Sequence, residues 1–190
     1  NVIIIHGAAN RIRNTIKVAT SVPIEVDDVA FSGLCAGLSV LTPDQKESGV
    51  LLIDLGGGST DMILYAPRYL AFARSLGVGG EHVTNDISIG LKLPLHQAER
   101  LKLNHGSAIA DHSLRGKSVS LPADGGFPGS TVKLINLQTI INMRMEETFN
   151  MIKRLCEKEG MIHQIGGGVV LTGGGARMPD VDNLAENVFN

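Results

Sequence analysis

Apolar residues in this chain follow two spacings, and the alternation between them sets out the elements. Val2–His6 is a short β-branched run suited to a buried strand. Over Ala9–Val22, Ile12, Ile16, Val18 and Ala19 recur between Arg and Lys, which predicts an amphipathic helix. Ile24–Phe31 reads as a strand or loop-strand. Leu34, Leu38, Val40 and Leu41, with small residues between them, predict a second helix ending near Thr42-Pro43. Gly49–Leu55 is an almost unbroken apolar strand. Ser59–Tyr65 and Tyr69–Leu76 follow across short turns, so the three form an antiparallel meander that Gly77–Gly80 closes.

Beyond the meander, Glu81–Ile89 and His96–Leu103 read as helices. The segment from Gly106 to Ser130 is richer in Gly, Ser and Pro and predicts short strands and loops. The longest helical signal runs from Leu137 to about Glu159, where Leu137, Ile140, Ile141, Met145, Phe149, Ile152 and Cys156 keep the 3.6-residue period and Gly160 supplies a stop. Gly168–Leu171 is a buried strand, Thr172–Arg177 a glycine-rich turn, and Asp182–Val188 another helix. No internal repeat is present. Strands with helices around them and a small insertion near the middle make an α/β domain.

Composition narrows the function classes. In 190 residues, hydrophobic types make up 43% and charged types 19%, as in a globular chain rather than a disordered one. Net charge is −2 with both signs spread along the chain, so no basic stripe marks a nucleic-acid partner. No apolar run approaches the roughly 20 residues needed to span a bilayer. No secretory signal is evident, and with Asn1 in place of Met the chain is expected to be a piece of a longer protein. Cys35 and Cys156 lie among apolar residues and read as buried, reduced thiols. The six histidines show no zinc-site spacing, and no Ser–His–Asp set is visible.

The chemistry is concentrated in two glycine loops. Asp54-Leu-Gly-Gly-Gly-Ser-Thr-Asp61 sits between two strands. Its glycines let several backbone N–H groups converge on an anion, Ser59 and Thr60 add hydroxyls, and Asp54 could hold a magnesium-bound water. A plain hairpin with acidic flanks is the alternative. Leu171-Thr-Gly-Gly-Gly-Ala-Arg-Met-Pro179 follows a strand and precedes a helix. Alone it could be only a turn; together, in this order with a long helix between them, the two loops are far more specific.

These loops resemble the second phosphate loop and the adenosine loop of the actin-like ATPase superfamily, which includes actin, heat-shock chaperones and sugar kinases. Further stretches resemble the FtsA family of bacterial cell-division proteins. They are Glu25-Val-Asp-Asp-Val with the helix ending in Ser39-Val-Leu-Thr42, Gly79-Gly80, Val83-Thr-Asn-Asp-Ile87, the run from Ala98 to Ala108, and Arg144-Met-Glu-Glu147. The resemblance implies an α/β, ribonuclease H-like second domain of a two-domain protein, with a mixed sheet, packed helices and an inserted smaller subdomain. Residues 1–80 and 131–190 would form the nucleotide-binding subdomain, with 1–22 as lead-in, and 81–130 the smaller one.

Carried over, the resemblance places the β- and γ-phosphates of ATP on Gly56, Gly57, Gly58, Ser59 and Thr60, with Mg ordered through water by Asp54. Gly173, Gly174 and Gly175 would pass beneath the ribose and α-phosphate. Gly80 would mark the path into the smaller subdomain, from which Glu99 and Lys102, three residues apart on one helical face, would approach the adenosine; a solvent-facing Glu–Lys pair is the plainer alternative. Phe31-Ser32-Gly33-Leu34 departs from the Glu-Pro common in the family. The implied function is an ATP-binding scaffold that polymerises and links the FtsZ ring to the membrane, binding the FtsZ carboxy-terminal tail on its smaller subdomain. The membrane contact would come from a segment absent from this chain, giving a cytoplasmic protein peripheral to the inner face of the membrane. Weak or no hydrolysis is expected from one half of a cleft. An adaptor of type IV pilus assembly and a sugar or small-acid kinase are the alternatives.

Overall fold

The computed structural model describes residues 4–190 apart from 125 and 127. Its centre is β1 (Val50–Leu55), which pairs antiparallel with β2 (Thr60–Ala66) and parallel with a late strand, β6 (Val169–Thr172). With β3 (Tyr69–Leu76) outside β2, the sheet order is β3-β2-β1-β6. The meander is as the sequence predicts. β1 carries almost no polar residue because both of its faces are covered. Leu51, Ile53 and Leu55 point into one core with Met62 and Leu64; Val50, Leu52 and Ile63 point into another on the opposite face.

The larger core is closed by four helices, α4 (Gly80–Leu91), α5 (Leu95–His105), α6 (Leu134–Lys158) and α7 (Val181–Phe189). The periodic residues Leu137, Ile141, Met145, Phe149, Ile152 and Cys156 form the buried stripe of α6. Burial in that stripe pushes the Cys156 thiol up to about 11, which leaves it protonated and unreactive at neutral pH. The opposite face is covered by α2 (Ser32–Val40) and by the short α3 (Pro43–Ser48). Between α5 and α6, β4 (Ser118–Leu121) and β5 (Ser130–Lys133) make a separate antiparallel pair.

Several expectations change. Of the predicted strand Val2–His6, residues 2 and 3 lie outside the described residues and residues 4–6 are not in a strand. Ile24–Phe31 is likewise irregular, since no strand is beside it to accept its hydrogen bonds. α1 (Ala9–Thr20) forms as predicted but buries none of its residues. Thr42-Pro43 ends α2 and also begins α3: the Thr42 side chain accepts the Gln45 N–H, and the Gln45 side chain accepts the Thr42 N–H, a capping box with Pro at the first helical position. Cys35 is exposed rather than buried, because α2 turns Gly33 and Gly37 to the sheet and carries Cys35 on the far side. Among the described residues, no helix is long and apolar enough to cross a membrane.

A cleft between two glycine loops

Both glycine loops leave the same end of the sheet. The first is the β1–β2 turn, closed by the Gly56 N–H donating to the Ser59 carbonyl at 3.0 Å. The second leaves β6, which is parallel to β1 and pairs Asp54 with Thr172, so Gly173 emerges beside Asp54. The start of α4 is docked onto the first loop: the N–H groups of Gly80 and Glu81 donate to the carbonyls of Gly56 (2.9 Å) and Gly57 (2.8 Å). This contact requires Gly79, where a Cβ would lie 2.5 Å from the Gly57 oxygen. The carbonyls of the loop are thus turned to the helix. The N–H groups of Gly57, Gly58 and Ser59 donate to no described residue.

A cavity of ≈ 280 Å³ lies between these parts. Gly56, Gly57, Thr60, Gly80, Glu99, Lys102, Gly174 and Gly175 line it, so the fold gathers eight of the residues singled out in the sequence. Gly58, Ser59, Gly173 and Asp54 are adjacent to the lining rather than in it. A larger groove of ≈ 810 Å³ runs along β6 and α7; its wall mixes Ile162, Ile165, Val169, Leu171 and Phe189 with Asp180, Asp182 and Glu186, and no residue of the first glycine loop lines it. The smaller cavity is the one with chemistry.

Side chains around the cavity divide into committed and free groups. The Thr60 hydroxyl donates to the Val78 carbonyl at 2.8 Å and so latches the loop rather than reaching outward. Asp61 is buried, and its two oxygens accept from Ser32 and Ser75 (2.6 Å for Ser75), which ties α2 and β3 to β2. Ser32 therefore has a structural partner at the position where the sequence departs from the family pattern. Opposite Asp61 in the strand register, the Asp54 carboxylate accepts no hydrogen bond from described residues. Burial, and then the Asp61 charge, push the Asp54 carboxyl above the ordinary range. No cluster of three or more His, Cys, Asp or Glu that could enclose a metal occurs among the described residues. One free carboxylate beside unpaired loop N–H groups is a donor set that would fit Mg²⁺, which keeps most of its waters and takes few protein ligands.

Glu99 and Lys102 both line the cleft, with the Glu99 side chain still 42% exposed. Lys102 is only 11% exposed, 2.7 Å from Glu99, and donates to the Gly80 carbonyl (3.0 Å) and to Thr84 Oγ1 (2.8 Å). The Thr84 hydroxyl also reaches Glu99. Burial pushes the Glu99 carboxyl up, but hydrogen bonds from Lys102 and Thr84 and the Lys102 charge outweigh it and hold it below the ordinary range. Gly79, Met145, Thr148 and Arg177 were not legible in the sequence as cleft residues. They come from the start of α4, from α6 and from the second loop, and only the packing of α4 on α6 brings them together.

The comparisons with known proteins agree with this geometry. The family described as "Cell division protein FtsA" matches residues 51–190. Cell division protein FtsA of Pseudomonas aeruginosa is 32% identical over 183 residues, which cover 96% of this chain and 44% of that protein. Its counterpart in Borreliella burgdorferi is 36% identical over 190 residues, covering 98% and 46%. The chain therefore spans somewhat less than half the length of these curated relatives. Among solved structures, MreB5 of Spiroplasma citri bound to ADP superposes with a TM-score of 0.78 at 22% identity, over 96% of this chain and 59% of that one. A MamK double helical filament gives 0.71 at 15%, over 96% and 57%. A PilM–PilN type IV pilus biogenesis complex gives 0.57 at 19%, over 85% and 40%. These three likenesses establish an actin-like fold. The family match and the two relatives establish more: this chain belongs to the FtsA family of cell-division proteins.

Proposed function

We propose that this chain is the second, nucleotide-binding domain of an FtsA-type scaffold, and that its cleft takes ATP with Mg²⁺. The supporting observation is the convergence of two glycine loops on one cavity, with the N–H groups of Gly57, Gly58 and Ser59 free to receive an anion. In this reading Gly56–Thr60 hold the β- and γ-phosphates, chiefly through the backbone, and Asp54 orders magnesium-bound water. Gly173–Gly175 run under the ribose and α-phosphate. Gly80 joins the first loop to α4, and Glu99 and Lys102 close the nucleoside end. The related MreB5 bound to ADP and to AMPPNP supports a nucleotide as the occupant.

Residues 1–80 and 131–190 act in this scheme as the nucleotide subdomain, and 81–130 as the smaller one. With its missing half supplied by the rest of the protein, the domain would close on ATP and self-associate head to tail. A heterologous contact of this kind can continue without closing. The smaller subdomain would hold the FtsZ carboxy-terminal tail. A groove of ≈ 130 Å³ between α5 and β4 supports this, because Arg100, His105 and Asp124 flank apolar Leu101, Val119 and Leu121. Membrane attachment belongs to a segment elsewhere in the parent protein, which would make it peripheral and cytoplasmic. The likeness to PilM is of fold alone and does not favour a pilus role.

A fluorescent FtsZ carboxy-terminal peptide titrated against the folded chain tests the division role. Saturable binding that a scrambled peptide does not reproduce, and that Arg100→Glu weakens, is expected. Binding of the scrambled peptide with equal affinity would remove it.

A further inference from the structure

The N–H groups of the first glycine loop owe their direction to α4. In a trans peptide the C=O of one residue and the N–H of the next share a plane and point in opposite directions. No peptide bond among the described residues is cis. The Gly56 carbonyl is held by the Gly80 N–H and the Gly57 carbonyl by the Glu81 N–H, at 2.9 and 2.8 Å. Those two bonds therefore turn the N–H groups of Gly57 and Gly58 away from α4. Both donors lie in the first turn of the helix, where N–H groups point along its axis. A slide of one residue, about 1.5 Å, would stretch both bonds beyond hydrogen-bonding range.

The axial position of α4 thus matters to the loop, and a charged pair outside the cleft fixes it. On the α6 side, Val83 and Ile87 are buried, and a Cβ on Gly90 would lie 2.8 Å from Ile140 Cδ1. Apolar burial holds the two helices together but is non-directional. Lys102 ties the first turn of α4 to α5 rather than to α6. The directional tie to α6 is Arg144, whose Nε and Nη2 donate to the two carboxylate oxygens of Asp86 at 2.5 and 3.1 Å. Among the described residues these are the only side-chain hydrogen bonds between α4 and α6. A guanidinium fork on a carboxylate fixes distance and plane together. The buried stripe of α6 in turn shares its core with β1 and β2, the strands that carry the loop.

We propose that Arg144 is a positioning residue for the anion site: through Asp86 it sets the register of α4, and through the first turn of α4 it keeps the Gly57 and Gly58 N–H groups turned outward. This rests on the nucleotide reading of that loop. Arg144 is not part of the cavity lining and acts only through Asp86.

The test compares this chain with Arg144→Met, the milder Arg144→Lys and Asp86→Asn. Glu147→Gln is the control, since Glu147 pairs with the same guanidinium (2.6 Å) from α6 itself. Native-state hydrogen exchange is read at the Gly80 and Glu81 amides and, for reference, along β1. MgATP affinity is titrated where every variant is folded. Arg144→Met and Asp86→Asn should speed exchange at Gly80 and Glu81 by about tenfold while β1 is unchanged. Both should weaken MgATP by about three- to tenfold. The double variant should lose no more than either single one, Arg144→Lys should fall between, and Glu147→Gln should match the parent. Exchange that rises equally along β1 would show a general loss of stability and overturn the proposal. Unchanged exchange at α4, or faster exchange with MgATP affinity intact, would overturn it too. A folded parent that binds no MgATP would remove the nucleotide reading instead, with exchange at Gly80 and Glu81 still deciding whether Arg144 places α4.

Discussion

The two glycine triplets look alike in sequence, and the structure uses Gly57 and Gly58 of the first and Gly173 and Gly175 of the second for opposite purposes. In the second, Gly173 and Gly175 are demanded by the protein itself, while Gly174 between them is uncrowded. Gly173 has φ +83°, and a Cβ there would lie 2.3 Å from Asp54 Oδ1 and 2.7 Å from the Leu55 carbonyl; Gly175 meets Leu55 just as closely. In the first, a Cβ on Gly56 would lie 2.7 Å from the Ser59 carbonyl, but Gly57 and Gly58 are crowded by nothing. A Cβ on either would meet only Glu81 oxygens at 3.7 and 4.0 Å, ordinary contact distance, and neither has positive φ. Packing explains the glycines at 173 and 175. It does not explain those at 57 and 58, where the space left open is the approach to free backbone N–H groups.

That contrast can be broken at several points. The largest effect is expected at Gly173→Ala, which combines a left-handed backbone with a clash against Asp54. Chemical denaturation should show a loss of about 2–4 kcal/mol, or an unfolded chain. Gly57→Ala and Gly58→Ala should leave stability within about 0.5 kcal/mol of the parent and still weaken ATP binding by about tenfold or more, because the methyl group would occupy the phosphate approach. A Gly57→Ala chain as unstable as Gly173→Ala would erase the distinction.

Lys102→Met should come next. It leaves Thr84, the Gly80 carbonyl and Glu99 without their shared donor, at a cost of about 1–3 kcal/mol in urea unfolding. The smallest effect is at Asp54. Its carboxyl is raised by burial and Asp61, so ionisation opposes folding, and the penalty grows as pH rises through the folded value. Asp54→Asn should therefore melt slightly higher than the parent at neutral pH, with the gap closing as pH falls below the ordinary carboxylate range. A gap that widens in acid would contradict this assignment.

Much of the sheet was legible because β1, β2 and β3 are bounded by glycine turns and by Pro67-Arg68, and β1 is apolar on both faces. α6 was legible for a similar reason: its stripe holds a single period over 25 residues. The N-terminal segments failed over the described residues because apolar runs such as Ile4-Ile5 and Ile24–Phe31 show strand propensity alone, and propensity yields no strand without a neighbour to pair with. α3 was hidden because Thr-Pro reads equally as an ending and as a beginning. The cleft was partly legible, since glycine loops announce backbone approach. What they could not announce was which side chains are already committed, such as Thr60 to Val78 and Lys102 to Thr84, because those partners lie 18 residues away in sequence and meet only through packing.

The central claim is that the first loop is kept bare for an anion. The most direct measurement is an equilibrium titration of the folded chain with MgATP, run beside Gly57→Ala under the same conditions and with the melting temperature of each recorded. Saturable binding by the parent, lost in a variant that melts at the same temperature, is the predicted result. Equal binding by both chains, or none by a folded parent, would contradict it.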